Sequence, residues 1–333
     1  MNTSATETHP YAQLGPATIL AAVESLGWRC DGHQLALNSY ENRVFQVGIE
    51  DEPPLIAKFY RPGRWSDEAI LEEHDFSLEL AEREIPVVAP LRDAQGNTLH
   101  HHQGFRFAVF PRHGGRAPDL ESADSLQRMG SLLGRMHALG SVRCFNHRPD
   151  LNITRFGQEP RQWLLDSPLI PPELHSRYAE VSAMVLEAVT QRFADAGETA
   201  SLRLHGDCHS GNILWTEAGA HFVDLDDCLN GPAIQDLWML LSGSRQQMSM
   251  QLGEVLEGYM QFHEFDAREL HLVEALRSLR MIHFSAWLGR RQDDPAFPPA
   301  FPWFGNDKYW EEQILTLLEQ RAALDEPALE LPL

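Results

Sequence analysis

Residues 204–227 read LHGDCHSGNILWTEAGAHFVDLDD and hold four Asp and three His within 24 positions. LRLHGD is a short apolar strand ending in an acid, while NILW and HFVDL are apolar strands joined by the turn TEAGA. Asn212 and Asp224 then stand near opposite ends of one hairpin, a geometry that lets Asp207, Asn212 and Asp224 converge. Two carboxylates and a carboxamide make an oxygen-rich set suited to Mg2+, which keeps water and phosphate oxygens as its other ligands. Phosphoryl transfer needs such a set: cations to neutralise the phosphate and an Asp to accept the incoming hydroxyl proton.

Other chemistries share these letters. His205, Asp207 and His209 have the alternation of an H-x-D-x-H zinc site, because residues two apart on a strand share a face. Gly206 and Gly211 count against it, marking a chain that is already turning. FVDLDD has the D-x-D spacing of aspartyl-phosphate phosphatases, although Cys228 stands where Thr or Val is expected. The plainest reading is an acidic surface hairpin, but solvation alone poorly explains polar groups flanked by apolar strands. Cys208 reads as a nucleophile or, with no base partner in view, as a small buried filler.

The rest of the chain sets bounds. A length of 333 residues exceeds one typical globular unit, so two packed lobes are expected. Hydrophobic residues at 43% and charged residues at 23% fit a folded, soluble chain. With 27 basic against 48 acidic residues, net −21, neither nucleic acid nor an anionic membrane is an expected partner. A phosphorylated ligand stays compatible where a cation or a local basic group offsets the charge. The opening MNTSATETHPYAQ lacks a secretory layout, no apolar run nears the ~20 residues of a membrane span, and the four Cys form no C-x-x-C. A cytoplasmic, monomeric protein with reduced thiols is the expectation.

Before residue 107 the sequence is strand-rich around one helix. LALNS and RVFQVGIE read as a hairpin, and PPLIAKFY as a third strand ending in the RPGR turn. A helix is expected over Asp67–Arg83 with Ser66 as N-cap. VVAPLRD and GFRFAVFPR read as two further strands around the turn AQGN, with His100–His102 in a solvated loop. Past HGGRAPDL, Leu126, Met129, Leu133 and Met136 follow the period of a buried helix face. More helix is expected around Tyr178–Phe193 and Leu270–Arg290. The expected layout is α+β: an N-terminal lobe over 1–107, a hinge over 108–116 and a mostly helical C-terminal lobe over 117–333.

HGDCHSGN resembles the H-G-D-x-x-x-x-N catalytic loop of the aminoglycoside phosphotransferase and choline kinase superfamily, which shares the protein-kinase fold. FVDLDD stands in the place of the metal-binding D-F-G, and Asp236 in GPAIQDLWML resembles a buried Asp that braces the catalytic loop. Within that superfamily, LNSYENRVFQ, AKFYRPGRW, FVDLDDCLNGPAIQDLWMLLSG and DPAFPPAFPWFG…YWE together resemble the bacterial stress response kinase A family. These blocks run from about residue 37 to residue 315.

The resemblance implies a bilobal protein-kinase-like fold with a small antiparallel N-terminal sheet, and ATP with Mg2+. Asp207 would be the catalytic base, and Asn212 and Asp224 the metal ligands. Lys58 would contact the ATP phosphates, paired with Glu73 or its neighbour Glu72. Ser39–Arg43 would be a hairpin over the phosphates, aided by the Ser39 and Asn42 side chains. Phe107–Pro111 would be the hinge whose backbone meets adenine. The family implies a serine/threonine protein acceptor. Against this, Gly206 replaces the Arg of H-R-D and only CLNGPAIQ separates DLDD from Asp236, which favours a small-molecule hydroxyl. The stretch Pro295–Trp310 would wall the acceptor site or pack the core.

Overall fold

The computed structural model describes residues 9–217 and 219–331. Its compact units are discontinuous in sequence. The first takes the chain through Ala117 together with Ile213–Asp226 and Asp294–Ala296; the second takes Pro118–Asn212, Asp227–Asp293 and the chain from Phe297.

In the first unit, α1 (Pro16–Glu24) precedes β1 (Cys30–Ala36), β2 (Arg43–Ile49) and β3 (Glu52–Phe59), followed by α2 (Asp67–Glu82), β4 (His100–His102) and β5 (Phe105–Pro111). Among the described residues these strands form one five-stranded antiparallel sheet in the order β1-β2-β3-β5-β4. The two-residue period of β3 sorts its side chains. Leu55, Ala57 and Phe59 pack with Ile19, Ala22 and Val23 of α1. Lys58 and Tyr60 fall on the opposite face, where Tyr60 packs with Ile70 of α2. Ser66 caps α2 by accepting the Ala69 N–H at 3.2 Å. Ile70, Glu73, His74, Ser77 and Leu80 then recur at helical spacing on its buried face.

Two details differ from the sequence reading. Residues 87–93 are not a ladder strand: Pro86 and Pro90 each lack an N–H to donate, and the segment makes only single contacts such as Leu91 N–H to the Val109 carbonyl. The partner of β5 is instead His100–His102, turning through Gln103 and Gly104, and His100 is buried. Residues 107–111 are paired with β3 along their length, Phe107 opposite Phe59 and Pro111 opposite Leu55.

The second unit is mostly helical: α3 (Ala123–Gly140), α4 (Glu159–Asp166) and α5 (Pro172–Ala196) lead into β6 (Leu202–Leu204). The chain then makes β7 (Ile213–Thr216) and β8 (Gly219–Phe222), an antiparallel hairpin that belongs to the first unit and joins it through Val87 and Arg116. β9 (Leu229–Gly231) returns to pair with β6. The remaining helices are α6 (Ile234–Trp238), α7 (Arg245–Tyr259), α8 (Val273–Gly289), α9 (Phe297–Ala300) and α10 (Asp307–Ala323), with a short 3-10 turn over Ala267–Leu272 before α8. The core of this unit is Tyr178, Val181 and Val185 of α5 against Leu279, Ile282 and Ala286 of α8 and Trp310, Ile314 and Leu317 of α10. Among the described residues no helix is long and apolar enough to cross a membrane.

Candidate active site

In the first unit, charge gathers on Lys58. Its Nζ lies 3.2 Å from Glu73 Oε1, 3.1 Å from Asp224 Oδ1 and 3.3 Å from Asp226 Oδ1. Lys58 is buried, and burial alone would lower its pKa. The carboxylates of Asp226, Glu73 and Asp224 outweigh that and raise it well above the ordinary lysine value, so the ammonium is permanent. Glu73 rather than Glu72 meets the lysine: Glu73 is 2% exposed on the inner face of α2, and neighbouring helical residues point about 100° apart.

Asp224 follows β8 with φ +60°, a left-handed conformation that Asp tolerates better than most residues. Its side chain stays 54% exposed while touching Lys58. Asp226 is the opposite case, 2% exposed and clamped between Lys58 and the Arg64 guanidinium. Arg64 also approaches Glu41 at 3.7 Å, and Arg61 lies 3.1 Å from the same Glu41 oxygen. Arg61 and Arg43 both reach the buried Asp294, at 2.7 and 2.6 Å.

The β1–β2 loop spends its polar side chains on itself and on the segment after β3. Ser39 Oγ donates to the Asn42 carbonyl at 3.1 Å, and buried Asn42 accepts the Arg61 N–H at 3.1 Å through Oδ1. Asn42 thus fixes the hairpin to the chain after β3.

In the second unit the loop after β6 is built around Asp236. This carboxylate is fully buried and accepts the His205 N–H at 2.9 Å and the Gly206 N–H at 2.8 Å. His137 Nε2 of α3 lies 3.1 Å from it, and His137 Nδ1 is 3.0 Å from the Tyr259 hydroxyl. Gln235 Nε2 donates to the Gly206 carbonyl at 2.9 Å. Gly206 has φ +85°, and a Cβ there would meet the Asp227 carbonyl oxygen at 2.2 Å, so an Arg at this position is sterically excluded.

Asp207 projects from this braced turn. Burial pushes its carboxyl pKa up, but hydrogen bonding from His209 and the Arg280 guanidinium outweigh that and hold it well below the usual carboxylate range. Arg280 Nη1 is 2.5 Å from Oδ1, and His209 Nε2 is 3.5 Å from Oδ2. Asn212 donates Nδ2 to the Asp207 carbonyl at 2.9 Å, and its carboxamide oxygen is the atom that could ligate a hard cation. Asp224, in the first unit, offers a carboxylate of the same hard character.

The phosphotransferase enzyme family matches residues 33–276 of this chain. Stress response kinase A of Escherichia coli (strain K12) is 46% identical over 331 residues, covering 99% of each chain. The chain belongs to the stress response kinase A family. A second relative, named serine/threonine protein kinase RdoA, from Salmonella typhimurium (strain LT2), is 46% identical over 321 residues, covering 96% of this chain and 97% of its own. Among solved structures, the amicoumacin kinase hAmiN overlays with a TM-score of 0.69 at 18% identity, covering 91% of this chain and 92% of its own. A microcompartment-associated aminopropanol kinase overlays at 0.67 and 18%, covering 92% and 95%. These likenesses show the α+β kinase-like fold, and membership of the family makes the chain a kinase.

For this family member the rival readings lose their footing. His205 is fully buried with its Nδ1 facing the Asp207 N–H at 3.3 Å, and among the described residues no group of three or more His, Cys, Asp or Glu is placed to hold a metal ion, so the zinc reading has no ligand set. Buried Asp226 is incompatible with a solvated acidic hairpin. Cys208 is buried, and burial first, then Asp236 and Asp207, push its thiol well above the ordinary range, which makes it a filler. From sequence His209 has no role, Asp226 and Asp227 read as further metal-site charge or as contacts to the acceptor, and Arg64 and Arg280 carry no signal. Their contacts join residues 73 and 162 positions apart, for which a single sequence carries no signal.

Proposed function

We propose that this chain is an ATP- and Mg2+-dependent serine/threonine protein kinase, and that Lys58, Glu73, Asp207, Asn212 and Asp224 perform the transfer. The observation that carries the reading is Lys58: an ionised, buried lysine held by a helix carboxylate and two carboxylates of the DLDD turn. Structural lysines seldom collect three carboxylates in the interior; a site that must accept a triphosphate with its cation does. Glu73 would fix the Lys58 ammonium toward the ATP phosphates. Asn212 and Asp224 would hold Mg2+, which supplies charge neutralisation of the phosphates. Asp207 would orient the acceptor hydroxyl and take its proton as the new O–P bond forms and the bond from the γ-phosphorus to the bridging oxygen breaks, releasing ADP. Its low pKa keeps it ionised at neutral pH, and catalysis is then chiefly positioning.

The protein acceptor is supported by the relative named a serine/threonine protein kinase at 46% identity. A small-molecule acceptor is the second reading, favoured by the eight residues, CLNGPAIQ, between DLDD and Asp236, too few for a peptide-docking segment. Purified protein is incubated with labelled ATP and Mg2+ alone, with generic protein substrates and with a metabolite panel, using Asp207→Asn as control. Label on protein that is lost in the variant is the expected result. Label on metabolites alone would sink the protein-kinase reading; transfer undiminished in Asp207→Asn would sink the assignment of the base. No transfer at all would leave a nucleotide-binding scaffold.

A further inference from the structure

Asp207 is the carboxylate that an acceptor hydroxyl must reach, and its approach is already occupied by Arg280. The guanidinium lies 2.5 Å from Oδ1, and the arginine is exposed on α8. From Arg280 one stripe runs down the same helix at spacings of four and three, Arg280, Phe284 and Trp287, and Arg291 in the turn just past the helix end extends it. Phe284 stacks on Trp287 with centroids 5.6 Å apart, and Arg291 lies over the Trp287 ring at 5.0 Å. Trp287 meets Phe301 at 6.0 Å, which in turn meets Trp303 at 6.0 Å. The opposite face of α8, carrying Leu279, Ile282 and Ala286, is the one buried in the core. Phe284 at 38% and Trp303 at 46% exposure each pack one side on neighbouring rings and leave apolar area open to solvent.

We propose that Arg280 selects the acceptor by binding an anionic group beside the hydroxyl that receives phosphate, and that the aromatic stripe continuing from it takes an apolar side chain of the same polypeptide. This rests on the protein-kinase reading above. Charge complementarity names the occupant. In a chain of net charge −21, the group placed at the reacting carboxylate is a guanidinium. A cationic acceptor would meet like charge there, whereas an acidic residue in the acceptor matches the planar fork of arginine and draws it off Asp207. The hydroxyl then takes the vacated Asp207 oxygen, so occupation of the anion pocket and exposure of the base are one event.

The test uses the full chain and three serine peptides identical except for the residue next to the hydroxyl: Glu, Gln or Lys. For wild type, kcat/KM for the Glu peptide should exceed that for the Lys peptide roughly tenfold or more, the size of one charge-assisted hydrogen bond. Arg280→Glu should invert the order, an outcome a merely structural arginine would not give, while KM for ATP holds as evidence of a folded site. Phe284→Ala should raise KM for a peptide with a flanking Leu or Phe and leave kcat in place. Equal use of the three peptides by wild type, or an unchanged order in Arg280→Glu, would overturn this inference alone. Failure to phosphorylate any peptide or protein would overturn the protein-kinase reading and the inference with it.

Discussion

Replacing Gly206 by Ala puts the brace of the catalytic loop to the test with one methyl group. With φ at +85° the backbone is left-handed, which costs an L-residue about 1–2 kcal/mol. The added Cβ also falls 2.2 Å from the Asp227 carbonyl oxygen and 3.0 Å from its carbon. That carbonyl cannot retreat freely, because β9 begins two residues later with Leu229 paired to Leu204. The loop must move instead, stretching the 2.8 Å bond from the residue-206 N–H to Asp236 and the 2.9 Å bond from Gln235. A buried bond to a carboxylate contributes about 1.5–3 kcal/mol, so strain plus partial loss sums to about 3 kcal/mol. That corresponds to roughly two decades in local opening. Hydrogen exchange of the amides at 205 and 206 should accelerate by about that factor, and turnover should fall about a hundredfold as Asp207 leaves its position. Gly219→Ala is the control: φ is +117° but nothing lies within 4 Å of its Cβ, so it carries backbone strain without a clash. Its turnover should change little. Wild-type exchange and turnover in Gly206→Ala would refute the idea that close contact with Asp227 and the bonds to Asp236 set the loop.

Lys58→Met should cut ATP turnover roughly a hundredfold or more and weaken nucleotide binding, read by steady-state kinetics and by ADP-induced thermal shift. Asp224→Ala should abolish metal-dependent turnover with an unchanged circular dichroism spectrum, since its side chain is half exposed; gross unfolding would mark it as structural. Glu269 is buried, and burial, opposed by its bond to the Ile234 N–H, raises its pKa to about 7. The folded state thus binds a proton that the unfolded state has lost between about pH 4.5 and 7, and stability should fall across that window by on the order of 2–3 kcal/mol. Urea unfolding of Glu269→Gln should lack this decline. Iodoacetamide at pH 8 should label exposed Cys144 and spare buried Cys208 until the protein unfolds.

What the sequence made legible was local. Ser66 before an acidic first turn marked α2, and PPLIAKFY with the RPGR turn after it marked the strand that carries Lys58. H-G-D-x-x-x-x-N fixed Asp207 and Asn212 five residues apart, a spacing read without knowing the fold. The failures were also physical. His100–His102 forms a strand because β5 offers it an open edge, which composition does not encode. What Ser39 and Asn42 do in this structure, bonding to the Asn42 carbonyl and the Arg61 amide, was likewise outside the reach of composition. Arg64 and Arg280 acquire meaning only through carboxylates far along the chain.

The acids of DLDD illustrate how burial divides identical side chains. Asp227 is exposed and contributes its carbonyl to the wall beside Gly206, while Asp226 is locked between Lys58 and Arg64. Asp224 touches Lys58 yet keeps half its side chain in solvent, so it alone of the three combines an anchored orientation with a free face. Around them Lys58, Arg64, Arg61 and Arg43 meet Glu73, Asp224, Asp226, Glu41 and Asp294: four cations against five carboxylates. A group with that balance does not attract a bare triphosphate, which is itself strongly anionic. Under the proposed function a divalent cation would supply the missing charge, and Asp224 would be the carboxylate to receive it. On that reading the arrangement would favour the metal–nucleotide complex over either component, because the cation would relieve the surplus carboxylate while the phosphates met the lysine.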